Sequence, residues 1–187
     1  MTKPDYIDPL LAEQGDSRNV IDQYKNWHID AIRSDLAKKA FDVHIAIENY
    51  QHDYNIGSIV RSANAFNVAG VHIVGKRHWN RRGAMATEKY IEVYHHASLE
   101  DFAKWSSIHK LINIGIDNIA DSVDLHKTKL PLNCMLIFGQ EGPGLSVEMQ
   151  NICTKIVAIE QFGSTRSVNV GVAAGIVLYD WVRQNVL

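Results

Sequence analysis

The chain has 187 residues, enough for one compact domain and a short appendage. Apolar residues make up 46% and aromatics 9%, a globular balance that excludes a disordered chain, and no apolar run reaches the length of a membrane span. The net charge of −2 gives no global pull toward nucleic acid, and a polar N-terminus without a signal-peptide core makes the cytoplasm the expected location.

Residues 1–16 carry two prolines and alternating acids and read as loosely structured. Val20, Tyr24, Trp27, Ala31 and Leu36 then recur near helical spacing, which predicts a helix over 17–40 with Asp16 or Ser17 as its cap. Residues 1–41 are accordingly read as an N-terminal extension with one helix, and 42–187 as the main domain. Strands are predicted at 43–47, 71–74, 90–94, 111–116, 134–138 and 156–159. Helices are predicted over 55–67, 98–109 and 146–153, with a final one entered near Asn169. Strands that alternate with helices, several of them continuously apolar, predict an α/β fold whose mostly parallel sheet is covered by helices on both faces. Ligands in such sheets sit at the carboxyl ends of the strands, where the turns 139–144 and 161–167 fall.

Cys134 and Cys153 form no C-x-x-C pattern and sit in or beside apolar runs, so buried thiols are expected. His44, His52, His72, His78, His109 and His126 are scattered without ligand spacing, and the neighbours His95 and His96 would point to opposite faces of a strand; no metal site is expected. Lys76, Arg77, Arg81 and Arg82 lie within seven residues and enclose Trp79. Basic residues interleaved with an aromatic suit phosphate contact and base stacking; the plainer reading is a solvated loop.

Three clusters carry chemistry. In N-I-G-S-I-V-R-S-A-N-A-F, Asn55 falls in the turn before a helix and Arg61 within it. Arg61 is permanently charged and can fork onto phosphate or carboxylate. In F-G-Q-E-G-P-G-L-S, Phe138 to Ser146, three glycines and a proline allow tight turns. No G-K-[ST] follows, so a phosphate cradle is disfavoured, and Glu141 inside the turn favours a positive or donor-rich ligand. In Q-F-G-S-T-R-S-V-N-V-G-V-A-A-G-I-V-L-Y-D, Gln161 to Asp180, small polar residues run into an apolar helix that reads as buried, with Ser167 and Asn169 near its entrance.

Together these stretches resemble the motifs of the SpoU/TrmH branch of the SPOUT RNA methyltransferases, in order and with matching spacing, over roughly residues 43–185. The resemblance implies a C-terminal deep trefoil knot, S-adenosylmethionine bound in that knot, a homodimer with the site at the subunit interface, and methyl transfer to a ribose 2′-hydroxyl of tRNA or rRNA. It also implies an RNA partner, with no DNA and no membrane. Arg61 matches the catalytic arginine, with Asn55, Glu141, Ser167 and Asn169 as further polar site residues. Ile114, Gly139, Ile159, Ser167 and Val168 match the positions whose backbone holds the cofactor. Lys76, Arg77, Arg81 and Arg82 then become RNA contacts. Asn67 stands where glycine is common and Val168 where leucine is usual. Without a ribosomal-protein-like RNA-binding domain, the reading leans slightly to tRNA. The alternative from another class is a non-catalytic RNA-binding or assembly module on the same fold.

Overall fold

The computed structural model describes residues 5–51 and 53–187, so residues 1–4 and His52 lie outside it. Its elements are α1 (Pro9–Gln14), α2 (Ile29–Lys38), β1 (Phe41–Asn49), α3 (Ile56–Ala65), β2 (Val68–Gly75), β3 (Val93–His96), α4 (Leu99–Ile108), β4 (Ile112–Ile116), β5 (Val123–Asp124), β6 (Cys134–Phe138), α5 (Val147–Asn151), β7 (Lys155–Ala158) and α6 (Val170–Asn185). The strands form one seven-stranded sheet in the order β3-β2-β1-β6-β4-β7-β5. All its pairings are parallel, as the continuously apolar strands predict.

Strand alternation sorts the core into two layers. Along β1, Val43, Ile45 and Ile47 join a large cluster with α3 and α6, while Ala46 joins Phe102 of α4 and Met149 of α5 on the other face. Both faces of the sheet are thus covered. Trp181 of α6 is fully buried, and its indole N–H donates to the Pro131 carbonyl at 2.8 Å.

The N-terminal segment departs from the single helix expected over 17–40. It holds two α-helices, and residues 16–28 form an irregular strap between them. Asp16 organises the strap. Its carboxylate accepts from the Arg18 guanidinium (2.9 and 2.6 Å) and from the backbone N–H groups of Arg18 and Asn26 (3.0 and 2.8 Å). Lys25 Nζ donates to the Asp16 and Arg18 carbonyls. Such local bonds compete with a helical backbone. The apolar residues of the pattern still find one core: Tyr24 and Ile32 pack on Tyr90, with Val20, Trp27 and Leu36 at the edge.

Two strand expectations also change. The third strand lies at 93–96 instead of 90–94, because Tyr90 and Ile91 are buried at a turn and ladder pairing starts at Val71–Val93. A seventh strand, β5, is only two residues long and gives no periodic signal. Asn67 has φ +49, the left-handed region that suits glycine and that asparagine tolerates. Its side-chain amide donates to the Leu36 carbonyl at 3.2 Å, which ties α2 to the sheet.

Candidate functional site

The three clusters meet at the carboxyl edge of the sheet. After Phe138 the chain reverses: Gln140 and Gly144 exchange two backbone hydrogen bonds of 3.0 Å, with Gly142 and Gly144 at φ +96 and +75. Two carboxylates hold the far end of this loop. Glu48, buried at the end of β1, accepts from Ser146 N at 2.9 Å and Ser146 Oγ at 2.6 Å. Asp117, just past β4, accepts from Leu145 N at 2.7 Å. Burial pushes the Glu48 carboxyl above the ordinary glutamate range, against the downward pull of the Ser146 bonds.

Asn169 caps α6, its Oδ1 accepting from Gly171 N at 2.9 Å and Val172 N at 3.3 Å. Its Nδ2 donates to Asn55 Oδ1 at 2.9 Å, and Asn55 Nδ2 donates to Glu141 Oε2 at 2.6 Å. The amide orientations follow from the chain itself: a carboxylate and a helix N-terminus at its two ends leave each asparagine one consistent way to face. The three residues come from three loops, bonds spanning 86 and 114 positions of sequence. Asn55 also sits at the start of α3, as expected, without capping it through its side chain.

These loops bound a cavity of about 540 Å³, within the range of small-molecule sites. Gly139, Glu141, Ile159, Ser167, Val168 and Asn169 line it, and Asn55 is hydrogen-bonded to its rim. Ile114 does not: it is fully buried within β4, paired with Leu136 and Lys155, and Ile116 at the strand end lines the cavity instead. Arg61 also stands apart, exposed on α3, its side chain making no hydrogen bond or ion pair among the described residues. Gln161 and Arg166, in the turn 161–167 expected past a strand end, also line the cavity, as do Asp117 and Asn118, which sequence reasoning passes over. The rule that ligands gather past strand ends, applied to the end of β4 as well, would have found Asp117 and Asn118.

Lys76, Arg77, Arg81 and Arg82 are all exposed on one loop. Asn49 fixes its start, donating to the carbonyls of Lys76 at 2.7 Å and His78 at 2.9 Å. A Cβ on Gly57 would lie 2.7 Å from Ala84 N, so α3 sits flush on this loop. Trp79 corrects the expectation of base stacking: it is 6% exposed and belongs to the core, with the Arg81 guanidinium 5.7 Å from its ring centroid.

Both cysteines are free thiols, and burial pushes each up to about 12. The histidines are less scattered than the sequence suggests. His44, His72 and His96, on adjacent strands, form a hydrogen-bonded row with N–N distances of 3.0 and 2.9 Å under Trp105 and Phe102. Asp124, His126 and Glu160 also place ligand-type atoms within 4.8 Å of one another. Each already has a protein partner: His126 contacts Glu160, and Lys127 contacts Asp124. No described helix is long and apolar enough to cross a membrane.

The SpoU rRNA Methylase family matches residues 42–179. An Archaeoglobus fulgidus protein described as an uncharacterized tRNA/rRNA methyltransferase is 33% identical over 143 residues, 74% of this chain and 63% of its own length. The tRNA (guanosine(18)-2′-O)-methyltransferase of Escherichia coli is 28% identical, with 80% of this chain and 66% of that protein covered. The chain thus spans a little under two thirds of each relative. The SpoU methyltransferase AviRb of Streptomyces viridochromogenes, solved with AdoMet, superposes with a TM-score of 0.70 at 24% identity, over 78% of this chain and 62% of that one. With its motifs brought together at one edge of a parallel sheet and the family matched across most of its length, the chain belongs to the SpoU rRNA Methylase family.

Proposed function

We propose that this protein is an S-adenosylmethionine-dependent methyltransferase acting on a ribose 2′-hydroxyl of RNA, with tRNA favoured slightly over rRNA. The observation that carries the reading is the Glu141–Asn55–Asn169 chain, which joins all three motifs at the cavity rim. The residues present fit the cofactor. Glu141 is a carboxylate suited to a cation, and two further acceptors, Gln140 Oε1 and Gln161 Oε1, are buried and unpaired. S-adenosylmethionine carries an ammonium, an amino group and hydroxyls that would satisfy acceptors of this kind, and when bound it supplies an electrophilic methyl group.

Asn55 holds Glu141 and Asn169 in one arrangement, so the rim is set before substrate arrives. Arg61 acts as a planar, charged fork and not as the base. Its role is to orient the ribose phosphate and stabilise the developing alkoxide, while phosphate or solvent takes the hydroxyl proton. Lys76, Arg77, Arg81 and Arg82 grip the RNA backbone by charge alone, Trp79 being buried.

Arg61 lies outside the cavity of its own chain, and a homodimer answers this. Ser58, one turn before Arg61, approaches to 3.3 Å of where a Cβ on Gly171 would lie, so the exposed face of α3 borders α6. There Val172, Ile176 and Tyr179 form an apolar stripe, 54%, 39% and 55% exposed, on a helix whose sequence reads as buried. A second copy covering that stripe would bring its own Arg61 to the partner cavity. In the same reading, residues 159–169, passing Asn118 (whose Nδ2 donates to the Arg166 carbonyl at 3.1 Å), are the threaded segment of the knot. The enzyme works in the cytoplasm.

The test is transfer of labelled methyl into total tRNA and total rRNA, with Arg61→Ala in parallel and mapping of the methylated ribose. Label in one pool, abolished by Arg61→Ala, is the expected result. Cofactor binding without label in either pool would point to a missing partner or substrate, and no cofactor binding at all would instead support the non-catalytic module.

A further inference from the structure

We infer that Gln161 reads the adenine of the cofactor, its side-chain carbonyl accepting a hydrogen bond from the exocyclic amino group; this rests on the cofactor reading above. Gln161 Oε1 is buried, and Gln161 lines the cavity; among the described residues that oxygen has no donor. A buried acceptor without a donor is costly, so a ligand that completes the site should bring one there.

The sheet order places that acceptor. Asn55 follows β1, Glu141 follows β6, Asp117 follows β4 and Gln161 follows β7, and these four strands are consecutive neighbours. Neighbouring strands lie about 4.8 Å apart, so the edges of β1 and β7 are separated by roughly 14 Å. The polar chain of Asn55 and Glu141 therefore marks one end of the trench and Gln161 the other. A cofactor with its reacting methyl near the first end presents a distal group at the second.

The chemistry of that distal end suits a purine better than an ammonium. Ile116, Ile119 and Ile159 supply apolar walls for a flat ring. The nearby carboxylates are engaged elsewhere: Asp117 accepts from Leu145 N and Asn118 N, and Glu160 contacts His126. Arg166, also in the lining, would repel a cation. A neutral amide oxygen among apolar side chains is matched by a neutral amino group. A purine with a 6-oxo group would set oxygen against oxygen.

The experiment is calorimetric binding of S-adenosylhomocysteine and of S-inosylhomocysteine, which differ in the 6-amino against 6-oxo group and the N1 proton that goes with it, to wild type, Gln161→Met and Gln161→Glu. Wild type should prefer the amino ligand by about 10- to 100-fold, the effect of an unpaired buried acceptor. Gln161→Met should bring the two affinities within about threefold of each other, while Gln161→Glu, which keeps an acceptor, should retain the preference. A wild-type ratio near one, or a ratio that survives Gln161→Met, overturns the inference while leaving the cofactor reading intact. Failure of the wild type to bind either ligand overturns both. Should Gln161→Met not fold, Gln161→Ala, which also removes the acceptor, decides by the same ratio.

Discussion

Gly139 has no room for a side chain. A Cβ there would lie 2.0 Å from the Gly144 carbonyl carbon and 2.2 Å from Leu145 N, both backbone atoms that cannot swing away. Gly139→Ala should therefore force open the hairpin that carries Glu141. The expected cost is about 3 kcal/mol or more of stability, in the range of strained core substitutions, checked by urea unfolding. Gly142 has φ +96, but a Cβ there would have nothing within 4 Å. Gly142→Ala would meet only backbone strain and is expected to cost about 1 kcal/mol in the same measurement.

Among the elements, α6 is capped by the residue that also joins the proposed site, and two substitutions separate the cap from that proposed role. Asn169→Ala removes the cap and should cost about 1 kcal/mol in thermal or urea unfolding. Asn169→Asp keeps the capping oxygens but loses the N–H donor to Asn55 and places a second carboxylate near Glu141. It is expected to hold wild-type stability within about 0.5 kcal/mol while turnover falls at least tenfold, read by unfolding and methyl-transfer assays on one preparation. The opposite face of α6 carries the proposed dimer contact. Ile176→Glu should yield monomers in sedimentation velocity with the circular dichroism spectrum unchanged, because Ile176 is 39% exposed in the single chain.

At the scale of the whole molecule, the histidine row should make stability depend on pH. Burial lowers His44 to about 4 and His72 to about 2, and lowers His96 as well, with repulsion added by His109 at His44 and His72, by the two row neighbours at His72, and by His95 at His96. The folded state holds these imidazoles neutral, whereas an unfolded histidine takes a proton below a pH of about 6.5. Their contribution is therefore complete above that value and falls as pH drops toward 4. The slope is up to about 1.4 kcal/mol per pH unit for each proton taken up by the unfolded chain. Urea midpoints should be flat from pH 8 to 7 and decline from 6.5 to 5. Asp16, held well below the usual carboxylate range by the Arg18 hydrogen bonds, loses its contribution only below about pH 4, so it does not confuse that window.

Local patterning determined the class of this protein. Apolar strands, capping residues and glycine-rich turns are short-range signals. The parallel sheet, the loops past its strand ends and the motif residues Asn55, Glu141, Ser167 and Asn169 were therefore legible from the amino-acid order alone. Tertiary structure decided what those signals leave open. Strand order brought Asn55, Glu141 and Asn169 into one hydrogen-bonded chain and His44, His72 and His96 into another, because ladder pairing sets neighbours that no spacing encodes. Layer packing drew Trp79 into the core and left Val172, Ile176 and Tyr179 outside it, since an apolar residue records only that burial is favourable and not which surface supplies it.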